Sequence, residues 1–411
     1  MSFKGHNFLR THKKILLNTL FVFSLNLLQK ALGFATVYIL IRTLSKDQFG
    51  DYQFILSVVG VLTVFSLPGL SNSVMQSTAR GMSGTFHHAL KPSLLSSLIA
   101  SLILCAVGTW YLVAKDSNLF LAFYLAAFLF PFTHGLKNWK SLIAGKEKFL
   151  SVLYLDGFSA LITAILVIST SLAFPGSIVP PLIIVFLIPA IQNTILTGYL
   201  LRKIKPCAPT EKGSIKYGIK TTLYSGFNIV ANHIDKLLIY SFFSPSTLAL
   251  YFTADRMSEL TKSIAQNLAA VLAPRFAKTE NFTKRLDKTL NIISAGLGAL
   301  IIIFAFSLLP WIMNILFGDD YTQAIPYAQA LLCTVAIGNH ATLRNRFVNS
   351  KLDEKSNRDV ILSVSLIRII ASIIFVPLLG ILGAVIATFI YRISTVLIIN
   401  YIVKTRYKLL S

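Results

Sequence analysis

Apolar runs of about twenty residues, separated by short polar turns, recur along the whole 411-residue chain. SLLSSLIASLILCAVGTWYLV and TLNIISAGLGALIIIFAFSLLPWIM keep this character long enough for a helix to cross a hydrocarbon core. A membrane barrel would instead alternate apolar and polar positions over about ten residues. The pattern therefore predicts an all-α integral membrane protein with about twelve transmembrane helices. Windows of span length put them near 15–41, 53–74, 93–114, 118–136, 150–173, 179–201, 219–243, 255–274, 289–316, 325–343, 360–377 and 381–402. MSFKGHNFLRTHKK followed by ILLNTLFVF has the charge and apolar order of a signal peptide, but no small-residue cleavage site follows. A retained first span is expected.

Composition supports the class: the chain is 55% hydrophobic and 13% charged, against about 25% charged in soluble domains. A net charge of +22 changes the picture only through its placement. A nucleic-acid binder sets Lys and Arg in a stripe or patch, whereas here they punctuate the apolar runs, so no nucleic-acid partner is expected. Lys4, Arg10, Lys13 and Lys14 precede the first span, and Arg202, Lys203, Lys205, Lys212 and Lys216 fill the central connection. Arg275, Lys278, Lys284 and Arg285 lie on the same side, as do Arg344, Arg346, Lys351, Lys355 and Arg358. The opposite loops hold only Arg42, Lys46, Lys115 and Arg256. By the positive-inside rule both termini are cytoplasmic and the number of spans is even.

The outer loops are short, AKDSN and FPGSIVPP among them. An enzyme acting on lipid-linked sugars at that face needs a sizeable loop with catalytic acids or gripping arginines, so no enzyme is expected. No Walker A, H-E-x-x-H, G-x-S-x-G or dinucleotide fingerprint occurs. Cys105, Cys207 and Cys333 lack C-x-x-C spacing, which supports neither a disulfide framework nor a metal site.

Residues 40–62 and 239–260 each leave an apolar span, turn, and place a tyrosine, Tyr52 or Tyr251, before the next helix. With the basic stretch LLRKIKPCAPTEKGSIKYG between them, the chain divides into a six-helix bundle at 1–201, a linker at 202–218 and a second six-helix bundle at 219–411. Halves with even span numbers share one orientation, which makes a parallel pseudo-repeat.

Charge inside a span is costly and tends to line aqueous pathways. Ser225, Asn228, Asn232 and Asp235 share one helical face, and Asp255, Glu259, Lys262 and Gln266 share another. Asn26, Gln29 and Lys30 make a shorter stripe in the first span. The plain alternative is internal pairing, Glu259 with Lys262 at i+3 being the obvious case. His233 is off its stripe by about 60° and reads as a packed imidazole. Arg368 and Arg392 sit near the centres of their spans, too deep to snorkel easily. With Lys30 and Lys236 they make a cationic set suited to an anionic substrate. Asp235 either pairs with one of these cations or carries a coupling cation.

The segment HIDKLLIYSFFSPSTLALYFTADRMSEL resembles the opening of the second half of polysaccharide flippases, the Wzx-type O-antigen transporters of the MOP superfamily. LSKDQFGDYQF, PGLSNSVMQSTARG, NWKSLIAGKEKF, ILFGDDYTQAIPYAQALL and LLGILGAVIAT support it in order and spacing. The chain departs from that pattern at Asn232, His233, Tyr240, Leu248 and Ala249. The resemblance implies a MATE/MOP-like fold of two bundles in the bacterial inner membrane. It implies a flippase for undecaprenyl-pyrophosphate-linked oligosaccharide that works by alternating access on a proton or sodium gradient, without a bound cofactor. Its partners would be the lipid-linked oligosaccharide, membrane lipids and polysaccharide polymerase machinery. Alternatives are a multidrug or metabolite exporter of the same superfamily, a peptidoglycan-precursor flippase and, as an enzyme, an O-antigen polymerase.

Overall fold

In a computed structural model, residues 27–114, 119–204, 208–278, 282–350 and 354–406 are described. Asn26 lies outside them. Among the described residues no strand occurs. Helix α1 occupies 27–43 and is followed by α2 (Lys46–Leu62), α3 (Pro68–Ala79), α4 (Thr85–Ala114), α5 (Leu119–Phe130), α6 (Trp139–Gly145), α7 (Phe149–Ala173) and α8 (Val179–Lys203). The later helices are α9 (Ser214–Phe242), α10 (Pro245–Lys278), α11 (Lys284–Ser307), α12 (Leu309–Phe317), α13 (Ile325–Ser350), α14 (Glu354–Leu379) and α15 (Ile381–Arg406).

The described parts of the expected spans are largely helical, and eight segments among the described residues are long and apolar enough to cross a bilayer. The protein is a multi-pass membrane protein. Large apolar side chains such as Val113, Phe128 and Leu378 are more than 70% exposed, as befits helices whose solvent is lipid.

Contacts divide the chain into two units, residues 1–44 with 65–222, and residues 45–64 with 223–411. Compared with the boundaries drawn from sequence, the stretch 202–222 joins the first unit and 45–64 joins the second. The expected span at 53–74 is broken: a 3-10 turn at Thr63–Ser66 ends α2, and α3 begins at Pro68 after Leu67 in a left-handed conformation (φ 53°). Pro68 fits the first turn, where no intrahelical donor is needed.

In the first unit, Leu70 and Val74 of α3 pack with Phe86 of α4, Trp139 of α6 and Leu200 of α8. Between α5 and α6 the chain makes a π-helical turn, Pro131–Gly135. Such a turn breaks the regular ladder and leaves carbonyls to be satisfied elsewhere. Buried Asn193 donates to Thr133 O at 2.7 Å, Ser93 to Gly135 O at 2.9 Å and Thr197 to Leu136 O at 2.8 Å. Asn193 also accepts from the Trp139 indole at 2.8 Å.

In the second unit, Leu290 of α11 and Phe347 of α13 form a core with Ile399 of α15. Helix α2 opens with a capping box, Ser45 accepting from Gln48 N and the Gln48 side chain from Ser45 N. It then docks against α9 and α10. Gly50 lies so close to the Pro245 carbonyl that a Cβ would sit 1.9 Å from its oxygen, and Gly60 meets the His233 ring. The Tyr240 hydroxyl donates to Asp51 Oδ1 at 2.6 Å, Ser246 N donates to Asp47 Oδ1 at 3.1 Å, and Phe54 stacks on Tyr240.

Candidate functional site

The polar stripe of α9 forms a continuous bonded series. Asn232 Nδ2 donates to Asn228 Oδ1 at 2.7 Å. Arg368 of α14 donates to Asn232 Oδ1 at 3.1 Å and to Asp235 Oδ2 at 3.0 Å. Asp235 is 1% exposed. Its Oδ2 also accepts from the Tyr251 hydroxyl and its Oδ1 from Lys236 N at 2.9 Å. Of the two roles left open for Asp235, the structure displays the ion pair. Lys236 makes a second buried pair, with Asp255 of α10 at 3.0 Å, and lies over the Phe252 ring. Burial of a charge in such surroundings requires a partner of this kind.

Glu259 does not pair with Lys262 in the structure; it meets Arg256 at 3.6 Å. Both Glu259 partners are on α10, and the i−3 cation is the one within ion-pair distance. Lys262 instead lines a polar cavity of about 330 Å³ inside the second unit. Asn228 and Asn232 line it from α9, and Lys262 and Gln266 from α10. Each of these lies at or near the midpoint of its helix. Helix α15 contributes Tyr391, Arg392 and Thr395, and α13 contributes Thr342, Asn345 and Arg346. No Asp or Glu is among these lining residues. The cavity lining therefore sets positive charge among carboxamides and hydroxyls, an environment for an anion.

Tyr391 has a guanidinium on each count: Arg368 lies 5.2 Å and Arg392 5.1 Å from its ring centroid. These cation–π contacts hold two like charges near one another. Gly338 makes room for Arg392, because a Cβ there would approach Arg392 Cδ to 2.8 Å.

Of the cationic set expected from sequence, Arg392 faces the cavity, whereas Lys236 and Arg368 are held by carboxylates. Lys30 lies on α1 in the first unit. His233 packs against Gly60.

The apolar window closes near 343, which assigns Arg344 and Arg346 to a loop as topology charges. Helix α13 instead continues to Ser350. Arg346 lines the cavity, and Arg344 is buried, donating to Asp287, to Asn291 Oδ1 at 2.8 Å and to His340 Nδ1 at 3.0 Å. Since Nδ1 of His340 accepts, its Nε2 carries the proton facing Asn400 Oδ1 at 3.3 Å. The overlooked signal was the spacing of Gly338, Thr342, Asn345 and Arg346 at i, i+4, i+7 and i+8.

Residues 39–326 match the model of a family described as polysaccharide biosynthesis protein. The chain belongs to that family. No curated protein matches it in sequence. Among solved structures it is similar to an inward-facing multidrug resistance MATE family transporter of the MOP superfamily, with 14% identity over 92% of this chain and 94% of that one and a TM-score of 0.69. It is also similar to the lipid II flippase MurJ in an inward closed conformation, at 15% identity, 94% and 88% coverage and a TM-score of 0.66. A MOP superfamily transporter from Pyrococcus furiosus, for which reverse polarity of the binding pocket suggests a different function, matches at 13% identity, 94% of both chains and a TM-score of 0.65. At such identities the likeness establishes the fold: this polysaccharide biosynthesis protein has the MATE/MOP architecture.

Proposed function

We propose that this family member is a flippase that moves an undecaprenyl-pyrophosphate-linked oligosaccharide across the bacterial inner membrane by alternating access. The observation that carries the reading is the cavity with Lys262, Arg346 and Arg392 on its wall and no acid among its lining residues. A carrier of organic cations has no use for that charge, whereas a lipid-linked pyrophosphate or an acidic glycan does. Membership of a polysaccharide biosynthesis family and a fold shared with a lipid flippase support the substrate class. A proton or sodium gradient drives the cycle, and the exported unit passes to polysaccharide polymerase machinery. Because Asp235 is already engaged by Arg368, Tyr251 and Lys236 N, it serves here as a fixed countercharge.

The test is deletion of the gene followed by analysis of lipid-linked oligosaccharide and surface glycan. Accumulation on the cytoplasmic face with loss of surface glycan, rescued by the wild-type chain and not by Arg392→Ala at equal protein level, is the expected result. Persistent surface glycan with altered tolerance of cationic dyes would replace the flippase by an exporter.

A further inference from the structure

The cavity presents two opposite hydrogen-bonding demands. Arg392 Nε is a buried, charged donor without a partner, and Arg392 lines the cavity together with Lys262 and Arg346. Asn345 Oδ1 is a buried acceptor without a partner. The two threonines act in the same sense as Asn345. Thr342 donates its hydroxyl proton to Gly338 O at 3.1 Å and Thr395 to Tyr391 O at 2.7 Å. Each hydroxyl has one proton to give, so both offer the cavity lone pairs only.

Pyrophosphate is a near-pure acceptor at neutral pH. It would satisfy the cationic wall and leave Asn345, Thr342 and Thr395 facing oxygen, at the cost of buried polar groups left unpaired. A neutral sugar would do the reverse, supplying hydroxyl donors and leaving the charges unmet. A ligand with an anionic group and neighbouring hydroxyls meets both demands. At about 330 Å³ the cavity lies at the small end of ligand pockets, the scale of one sugar residue and not of a chain.

We propose that this cavity is a subsite for a single anionic sugar residue of the transported glycan, its acid group held by Arg392, Arg346 and Lys262 and its hydroxyls donated to Asn345, Thr342 and Thr395. The inference rests on the reading of the protein as a carrier of lipid-linked oligosaccharide and adds which part of the substrate the second unit recognises.

The experiment is calorimetric titration of the purified full chain in nanodiscs with glucuronate, glucose 6-phosphate, glucose and inorganic pyrophosphate. The anionic sugars are expected to bind about tenfold or more tightly than glucose or pyrophosphate. Arg392→Gln should erase the preference over glucose. Asn345→Leu, or the milder Thr342→Val, should erase the preference over pyrophosphate. Tighter binding of glucuronate assigns the acid to a carboxylate, and tighter binding of glucose 6-phosphate to a phosphate; either supports the subsite. Pyrophosphate binding as tightly as the anionic sugars, no binding by any of the four, or unchanged preferences in the variants overturns it. If glycan export still depends on the gene in that case, the flippase reading stands without the subsite; if export is gene-independent while anionic sugars bind, only the flippase reading falls.

Discussion

Asp235 shows how a membrane-embedded acid is kept charged by its neighbours. Two donors converge on one oxygen and a backbone amide on the other, and the guanidinium of Arg368 supplies the opposite charge. Removing one member of such a pair leaves the other buried and uncompensated, at a typical cost of about 3–5 kcal/mol. Asp235→Asn is expected to lower stability on that scale, read as the denaturation midpoint in detergent. Arg368→Met in the same chain should recover more than half of the loss, because an apolar replacement has no charge to strand. Equal instability of single and double variants would mean the pair does not act as a unit. The polar stripes of α9 and α10 were legible in the sequence because helical spacing alone puts Asn228, Asn232 and Asp235 on one face. Which cation meets which acid was not, since helical spacing does not choose among partners on other helices and only packing assigns Asp235 to Arg368 and Asp255 to Lys236.

At the scale of elements, close approach decides where α2 lies. Gly50 has backbone where a side chain would be, so Gly50→Ala forces α2 away from the start of α10. Overpacking of this kind costs about 1–3 kcal/mol. Gly296, mid-way along α11 with open space around its Cα, provides the contrast. Gly296→Ala should instead stabilise by about 0.5–1 kcal/mol. Thermal denaturation of the two variants in the same detergent reads both signs.

The connection between α8 and α9 makes a different element-scale device. Glu211 accepts from the Ser77 hydroxyl and from Arg80 at 2.7 Å, and Gly84 N donates to Pro209 O at 3.0 Å. The Ser77 hydroxyl first, and then Arg80, hold the Glu211 carboxyl below its ordinary range. A depressed carboxyl stabilises the fold above its unfolded value, about 4.3, and that contribution disappears as the pH falls through the folded value. Hydrogen exchange at Gly84 N is therefore expected to accelerate on acidification below about pH 4.3 in the native chain, and to be insensitive to pH, after correction for intrinsic exchange, in Glu211→Gln. The helical spans were readable because apolar length is a one-dimensional property. The break at 63–67 and the continuation of α13 to Ser350 were not, since one depends on a left-handed Leu67 and the other on buried partners for Arg344 that lie far away in sequence.

For the whole molecule, the chain passes between its two units at 44/45, at 64/65 and at 222/223. Cutting the polypeptide at the last of these does not yield two complete parts: the cut severs α9, and the fragment 1–222 carries α2, whose docking surface on α9 and α10 belongs to the other fragment. Fragments 1–222 and 223–411 expressed separately are expected to be degraded or to aggregate, and expressed together to accumulate as a pair that co-purifies. Accumulation of a folded 223–411 alone, judged by a cooperative thermal transition, would show that α2 is dispensable to the second unit. The division into halves was visible from the central basic stretch, but the exchange of one helix was not, because periodicity records which face of α2 is apolar and not which partner covers it.

Helix α13 has one further consequence. Over two turns it turns Thr342 and Asn345 to the cavity and His340 and Arg344 to Asn400 and Asp287. Cavity-lining and frame-bracing side chains are thus mounted on one rod, which is tied to α11 through Asp287 and to α15 through Asn400.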